Sequence, residues 1–175
     1  IFLEDACLFP INSMADGPVL GSHMYNAMWE NMEQTVKRGT PAPHGERIAR
    51  DASGEILRDA AGNALGGIRP TQIRAPIATY GPINEANAAN LPGPLLLLGN
   101  LFCVLSGTVA PFDSATLATL YPSHQGYVAQ VTEAAHALME QRFLLPIDAE
   151  KVIRAAERSS IGCGIGFELV FVLPP

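Results

Sequence analysis

The longest apolar stretch of the chain is the feature that most constrains its fold. It runs from Leu91 to Phe112, LPGPLLLLGNLFCVLSGTVAPF, and its length would reach across a bilayer. Pro92, Gly93 and Pro94 interrupt it near its start, and no cluster of basic residues flanks it. We therefore expect a buried core segment or a lining loop here, and no membrane span.

The overall composition supports a globular protein. Hydrophobic residues make up 48% of the chain and charged residues 16%, whereas disordered chains are more charged and less apolar. The formal net charge is −6, and lysines and arginines form no block. Nucleic acid and anionic membranes are recognised through basic surfaces, so we expect neither as a partner.

Cysteine spacing argues against a metal site and leaves the compartment open. The three cysteines, Cys7, Cys103 and Cys163, form no CxxC pair, so no structural zinc is expected, and we expect no cofactor. An odd count in a chain of this length does not describe a disulfide scaffold. The first residues lack the pattern of a signal peptide and an initiating Met, so the localisation stays open. A secreted or periplasmic location and a longer gene product are both compatible with this start.

An amphipathic helix is predicted soon after the start of the chain. Its apolar residues recur at helical spacing and predict one apolar face of the helix: Tyr25, Met28, Trp29, Met32 and Val36. Ser22 stands where an N-cap is wanted, and Gly39 is a typical stop. His23 then lies in the first turn, where a positive charge is mildly unfavourable, so we expect a neutral imidazole with a structural role.

The fold class predicted from these patterns is α+β with helices dominant. Residues 1–39 hold the helix and its lead-in, and residues 40–112 form a β and loop region with short hairpins around Ser53 and Gly62. Residues 113–162 are helical, with Asp113, Ser123 and Asp148 opening successive helices and the last two forming an αα-hairpin. Residues 163–175 are an apolar tail that reads as a strand.

No self-contained catalytic motif is visible. The G-x-S-x-G turn of α/β hydrolases is missing, and the nearest string, GCGIG, is centred on a glycine. Candidate catalytic residues are His23, Asp16, which precedes it in acid-to-histidine order, and His136, which is flanked by glutamates at helical spacing. A further alternative makes the chain a small hydrolase with Ser22, Ser106 or Cys103 as nucleophile and His23 or His136 as base.

Several phrases in order resemble a known family. The chain resembles the C-terminal part of bacterial α/β-hydrolase domain-containing proteins in three stretches: MWENMEQTVKRGTPAPHGERI, GNALGGIRPTQIRAPIATYGP and FCVLSGTVAPFDSATLATLYPSHQGYV. The likeness covers about Pro10 to Ala156. It implies an esterase-like serine hydrolase whose nucleophile, main sheet and catalytic histidine lie upstream, so no catalytic residue is transferred to this chain. The tail from Cys163 departs from the family pattern.

Two functions follow from these observations. In the first, the chain is a C-terminal fragment of a larger hydrolase, shapes a pocket for a small ester and has the upstream hydrolase core as its partner. In the second, it is a non-catalytic lid or interaction module that forms a homo-oligomer through its tail and the region Leu95–Leu105.

Overall fold

Helices dominate the structure, which is a computed structural model describing residues 6–8, 22–91 and 93–163. The elements in chain order are α1 (Ser22–Arg38), α2 (Thr71–Arg74), β1 (Ala78–Gly81), α3 (Pro94–Ser106), β2 (Thr108–Pro111), α4 (Ser114–Leu120), α5 (His124–Glu140) and α6 (Pro146–Arg158). The predicted helix-dominated α+β class is confirmed. The predicted strand in the tail lies outside the described residues, except for Cys163.

The C-terminal hairpin of α5 and α6 builds most of the described core. Its apolar face buries two groups of side chains: Tyr121, Tyr127, Val131 and Ala156, and then Ala135, Leu138, Leu144 and Ala149. Ser123 caps α5 by accepting a hydrogen bond of 3.1 Å from the backbone N–H of Gly126. Asp113 caps α4 by accepting from the N–H of Thr116 at 2.7 Å. Both predicted caps and the αα-hairpin are confirmed.

The start of α6 differs from the prediction. Leu145 is the N-cap and Pro146 occupies the first turn, so Asp148 lies inside the helix instead of opening it. Helix α6 ends at Arg158 with Ser159 as its C-cap. Gly162 adopts a φ of +74° and packs against the backbone of Ser123 and His124, where a Cβ would clash at 2.5 Å.

The β region is only partly as predicted. Isolated bridges join Ile48 to Gly66, Arg50 to Ile56 and Arg58 to Ala64, so residues 48–66 hold hairpin turns without regular strands. The regular sheet consists of β1 and β2, which pair antiparallel and are connected through α3. Asn63 is fully buried and fixes a hairpin turn to β1, donating to the carbonyl of Ala78 and accepting from the N–H of Tyr80.

The long apolar stretch forms a helix whose side chains are mostly exposed, so the expectation of a buried segment or lining loop was wrong. Leu97 and Leu105 are 80% and 78% exposed, and Cys103 alone on α3 is buried. A disulfide joins Cys103 to Cys7, 96 residues away, a pairing that the odd cysteine count did not reveal. In the described part of the chain, no helix is both long and apolar enough to cross a bilayer.

Helix α1 forms as predicted, with Gly39 in the left-handed conformation at its end. The side chains that it buries are Ala27 and Asn31. Its apolar stripe, which we define as Tyr25, Met28, Trp29, Met32 and Val36, is exposed to between 46% and 80%. The periodicity identified the apolar face correctly, yet the described residues leave that face uncovered.

Candidate functional site

The first turn of α1 meets the first turn of α6 at a buried carboxylate. Asp148 is 1% exposed and accepts hydrogen bonds of 2.8 Å from the side-chain amide of Asn26 and from the Lys151 ammonium. Nδ1 of His23 lies 3.2 Å from Oδ1 of Asp148, and the His23 side chain is 13% exposed. The sequence-predicted histidine is therefore paired with an acid 125 residues later in the chain, and not with the predicted Asp16.

The partners of Asp148 keep it ionised. Burial by itself raises the pKa of a carboxyl group, because it disfavours the charged form. At Asp148 the hydrogen bonds from Lys151 and Asn26 and the nearby His23 outweigh burial, so its pKa is lowered below the usual 3.8. The ion therefore stabilises the contact between α1 and α6 at neutral pH.

A histidine beside a carboxylate resembles the orienting half of a catalytic triad, but this pair faces little open space. The cavity next to His23 has a volume of about 10 Å³, which at most holds one water molecule. Within the described residues, neither ring nitrogen of His23 has a hydrogen-bond partner. This geometry supports a helix-positioning role and leaves no room for an ester at the imidazole.

The other sequence candidates are dispersed. His136 is exposed on α5 and makes no ion pair with Glu133 or Glu140 among the residues described. Asp16 lies outside the described residues. Cys103 is in the disulfide, so it offers no thiol as a nucleophile. The Ser106 hydroxyl donates to the carbonyl of Phe102 within its own helix at 2.8 Å.

Other groups that carry chemistry are also placed away from an acid–base site. No group of three or more acidic, histidine or cysteine side chains gathers in residues 6–8, 22–91 and 93–163 in a way that could hold a metal ion. Tyr121 packs edge-to-face on Tyr127, with ring centroids 4.8 Å apart. Burial and Tyr127 raise the pKa of Tyr121 to about 12, so its hydroxyl stays protonated at neutral pH.

A groove of about 610 Å³ lies along α1. Met24, Met28 and Met32 form one wall, at one-turn spacing along the helix. Ile68 and Phe143, which pack against the hairpin core, also line it. The groove therefore joins the exposed apolar stripe to the packed interior, with a size in the range of small-molecule sites.

One end of the groove is fixed by an unusual residue, Arg142. It has a φ of +62° and is the one residue other than glycine with a positive φ in the described chain. The buried Asn31 side chain donates to its carbonyl at 2.8 Å, and its own guanidinium donates to the carbonyl of Pro41 at 2.5 Å. Backbone conformations of this kind cost energy and persist where surrounding contacts hold them, often at functional sites.

Sequence reasoning missed the residues that give the site its polarity. The sequence predicts Asp148 as a helix cap, although its position after Pro146 also fits a first-turn residue that points inward. Arg142 and Asn31 gave no signal, since no pattern marks an arginine for the left-handed region. The spacing of Met28 and Met32 is visible in the sequence as part of an apolar helix face, but the spacing does not show that this face lines a groove.

The comparisons with known proteins agree with the resemblance seen in the sequence. The family model described as alpha/beta hydrolase domain matches residues 4–154, which is most of the chain. Neither the curated proteins nor the solved structures gave a match. The residues matched by the family model include the groove, the α1–α6 contact and the αα-hairpin except for the end of α6. This chain therefore belongs to the alpha/beta hydrolase domain family.

Proposed function

We propose that the chain is the C-terminal portion of an esterase-like hydrolase and forms a wall of its substrate pocket, while another segment supplies the nucleophile. The observation that carries this proposal is the exposed apolar stripe on α1 beside a groove of about 610 Å³. Exposed apolar patches of this kind mark interaction or ligand-binding surfaces. The division into segments at residues 39, 112 and 162 stays a prediction.

The energetics of the stripe favour a covered surface. Burying a large apolar side chain stabilises a protein by about 1.5–3 kcal/mol. Trp29 and Val36 are 62% and 80% exposed, so most of that stabilisation is not realised within the described residues. A hydrolase core and a bound substrate would together cover the stripe and the groove.

The placement of the candidate nucleophiles supports a nucleophile elsewhere. Cys103 is disulfide-bonded, and Ser106 makes an intrahelical hydrogen bond with no histidine among its partners in the described chain. Activation of a serine needs an adjacent base, usually histidine, within hydrogen-bond reach. The His23–Asp148 pair is instead suited to hold α1 at the angle that presents its methionines.

We expect the purified 175-residue chain to resist a fluorophosphonate, which acylates activated serines. Intact-mass spectrometry should show the unmodified mass. The product of the complete gene should instead carry one adduct on a serine outside this chain and hydrolyse a p-nitrophenyl ester. A stoichiometric, heat-sensitive adduct on a serine of this chain, or a complete gene product without a reactive serine, would overturn the proposal.

A matched pair of variants in the complete gene product tests the pocket wall. Met28→Lys places a charge in the groove, whereas Leu97→Lys places the same charge on α3, at a distance from the groove. Only Met28→Lys is expected to lower kcat/KM, by about tenfold, since a charge in an apolar site costs more than 1.4 kcal/mol. Equal effects of the two variants would contradict this role for the groove.

A second candidate function, a lid or interaction module that self-associates, is favoured by the exposed surface of α3. No charged side chain lies between Leu91 and Phe112, and most apolar side chains of α3 face solvent. Such a surface matches a second copy of itself without electrostatic repulsion. The tail that was predicted to contribute lies outside the described residues.

Self-association through α3 should depend on concentration. In sedimentation velocity, the wild-type chain is expected to shift from monomer toward dimer as concentration rises, and Leu101→Lys should abolish the shift. Met28→Lys serves as the control on the other apolar helix and should leave the dimer intact. A wild-type chain that stays monomeric at every concentration would exclude the module hypothesis.

A further inference from the structure

The volume and the lining of the groove along α1 suit a small flexible molecule. Its volume of about 610 Å³ falls within the usual range of ligand pockets. Three methionines line it, and methionine side chains adapt to ligands of different outline because they are unbranched and polarisable. The occupant is therefore expected to be an apolar chain that lies along the helix.

The groove also carries a positive charge that can bind an anionic group. Among the described residues that line it, Arg142 is the one that carries a charge. In the described chain its guanidinium makes one hydrogen bond, to the carbonyl of Pro41, and no ion pair. A guanidinium carries several N–H donors arranged as a fork that matches a carboxylate. Donors therefore remain for an anionic group from outside the described residues.

The position of this charge is held from both sides. Asn31, which is buried, fixes the backbone of Arg142, and Pro41 fixes the end of its side chain. A preorganised cation binds an anion with less loss of side-chain entropy than a free one. The unusual φ of +62° shows that the surrounding contacts impose this placement.

We infer that the groove binds an amphipathic carboxylate, with the apolar chain along Met24, Met28 and Met32 and the carboxylate at Arg142. Hydrolysis of an ester of an apolar carboxylic acid yields such an anion, so the inference names the substrate class of the pocket wall. In that respect it rests on the proposed function. The binding site itself belongs to this chain and is tested without turnover.

Methyl NMR of the methionines locates the ligand directly. The chain has five methionines; three line the groove, while Met139 packs in the hairpin core and Met14 lies outside the described residues. Decanoate, decanol and decylammonium would be titrated at neutral pH, below their aggregation concentrations. Decanoate is expected to shift Met24, Met28 and Met32 much more than Met139. It should also bind about tenfold more tightly than decylammonium, with decanol in between.

Two variants complete the test, one that removes the charge of Arg142 and a control that removes an exposed arginine elsewhere. Arg142→Gln should reduce the preference for decanoate over decanol to less than about twofold, since the charge-assisted bond is lost. Arg154→Gln makes the same change at an exposed position on α6, paired with Glu150, and should keep the wild-type preference. The ligand series on the wild-type chain remains decisive if Arg142→Gln unfolds.

Three results would overturn the inference. The first is equal binding of decanoate and decylammonium, and the second is a set of ligand-induced shifts centred on Met139. The third is a shift of the groove methionines that depends on protein concentration in the absence of ligand, because it would mean that a second copy occupies the groove. Failure here alongside fluorophosphonate labelling of the complete gene product would leave the proposed function standing. Decanoate binding to the groove, together with no reactive serine in that product, would support the binding site and overturn the proposed function.

Discussion

Replacing both Cys7 and Cys103 with alanine is expected to lower the free energy of unfolding by about 4 kcal/mol. The disulfide closes a loop of 96 residues, and the loss of loop-closure entropy in the unfolded chain grows with loop length toward about 4.7 kcal/mol for a loop of about 100 residues. The bond also anchors α3, which has Cys103 as its buried residue. Urea unfolding followed by circular dichroism measures the difference.

Chemical reduction of the disulfide tests the same prediction in the wild-type chain. A phosphine reductant should bring the wild-type chain close to the stability of the double variant and leave the variant itself unchanged. Cys163→Ala, at the exposed free cysteine, is the control and should change stability by less than about 0.5 kcal/mol. Equal stability of the double variant and the wild-type chain in oxidising buffer would show that this bond does not constrain the fold.

Asp148→Ala should cost about 3 kcal/mol of stability, the second large effect. The carboxylate is buried and accepts from Asn26 and Lys151. Its removal leaves the Asn26 side-chain amide and the Lys151 ammonium without their acceptor, and a polar group left without its hydrogen-bond partner at a buried contact costs about 1–3 kcal/mol. Glu150→Gln, next along the same helix but exposed, should stay within about 0.5 kcal/mol of wild type.

The stability difference between the wild-type chain and Asp148→Ala should depend on pH in a definite direction. The pKa of Asp148 is lowered below 3.8 in the folded chain, so the folded state favours its ionised form. Its contribution is therefore complete above the unfolded pKa of about 4 and is lost as the pH falls through the folded value. The stability gap between wild type and Asp148→Ala should stay constant from pH 7 to about 5 and narrow below pH 4. A gap that widens in acid would contradict the ionised state of Asp148.

Local signals allowed much of the fold to be predicted from the sequence. Asp113, Ser123 and Gly39 mark helix ends through hydrogen bonds and backbone conformations that involve only near neighbours. The αα-hairpin followed from apolar spacing on both sides of a short loop. These features depend on residues within a few positions of each other, which a single sequence displays.

The features that were missed depend on distant residues. Periodicity identifies the apolar face of α1, but it does not say what covers that face. The Cys7–Cys103 bond and the His23–Asp148 pair join positions that are 96 and 125 residues apart, and spacing does not encode such pairings. Arg142 adopts a conformation that residue type disfavours, and it is held by contacts from Asn31 and Pro41.

The exposed stripe on α1 also gives the molecule an optical property. Trp29 is the single tryptophan of the chain, and it sits at 62% exposure beside the methionines of the groove. Indole emission moves to shorter wavelength when water leaves the ring. A hydrolase core or a second copy that covers this stripe will therefore shift the emission of Trp29 to shorter wavelength, and the change can be followed without any label.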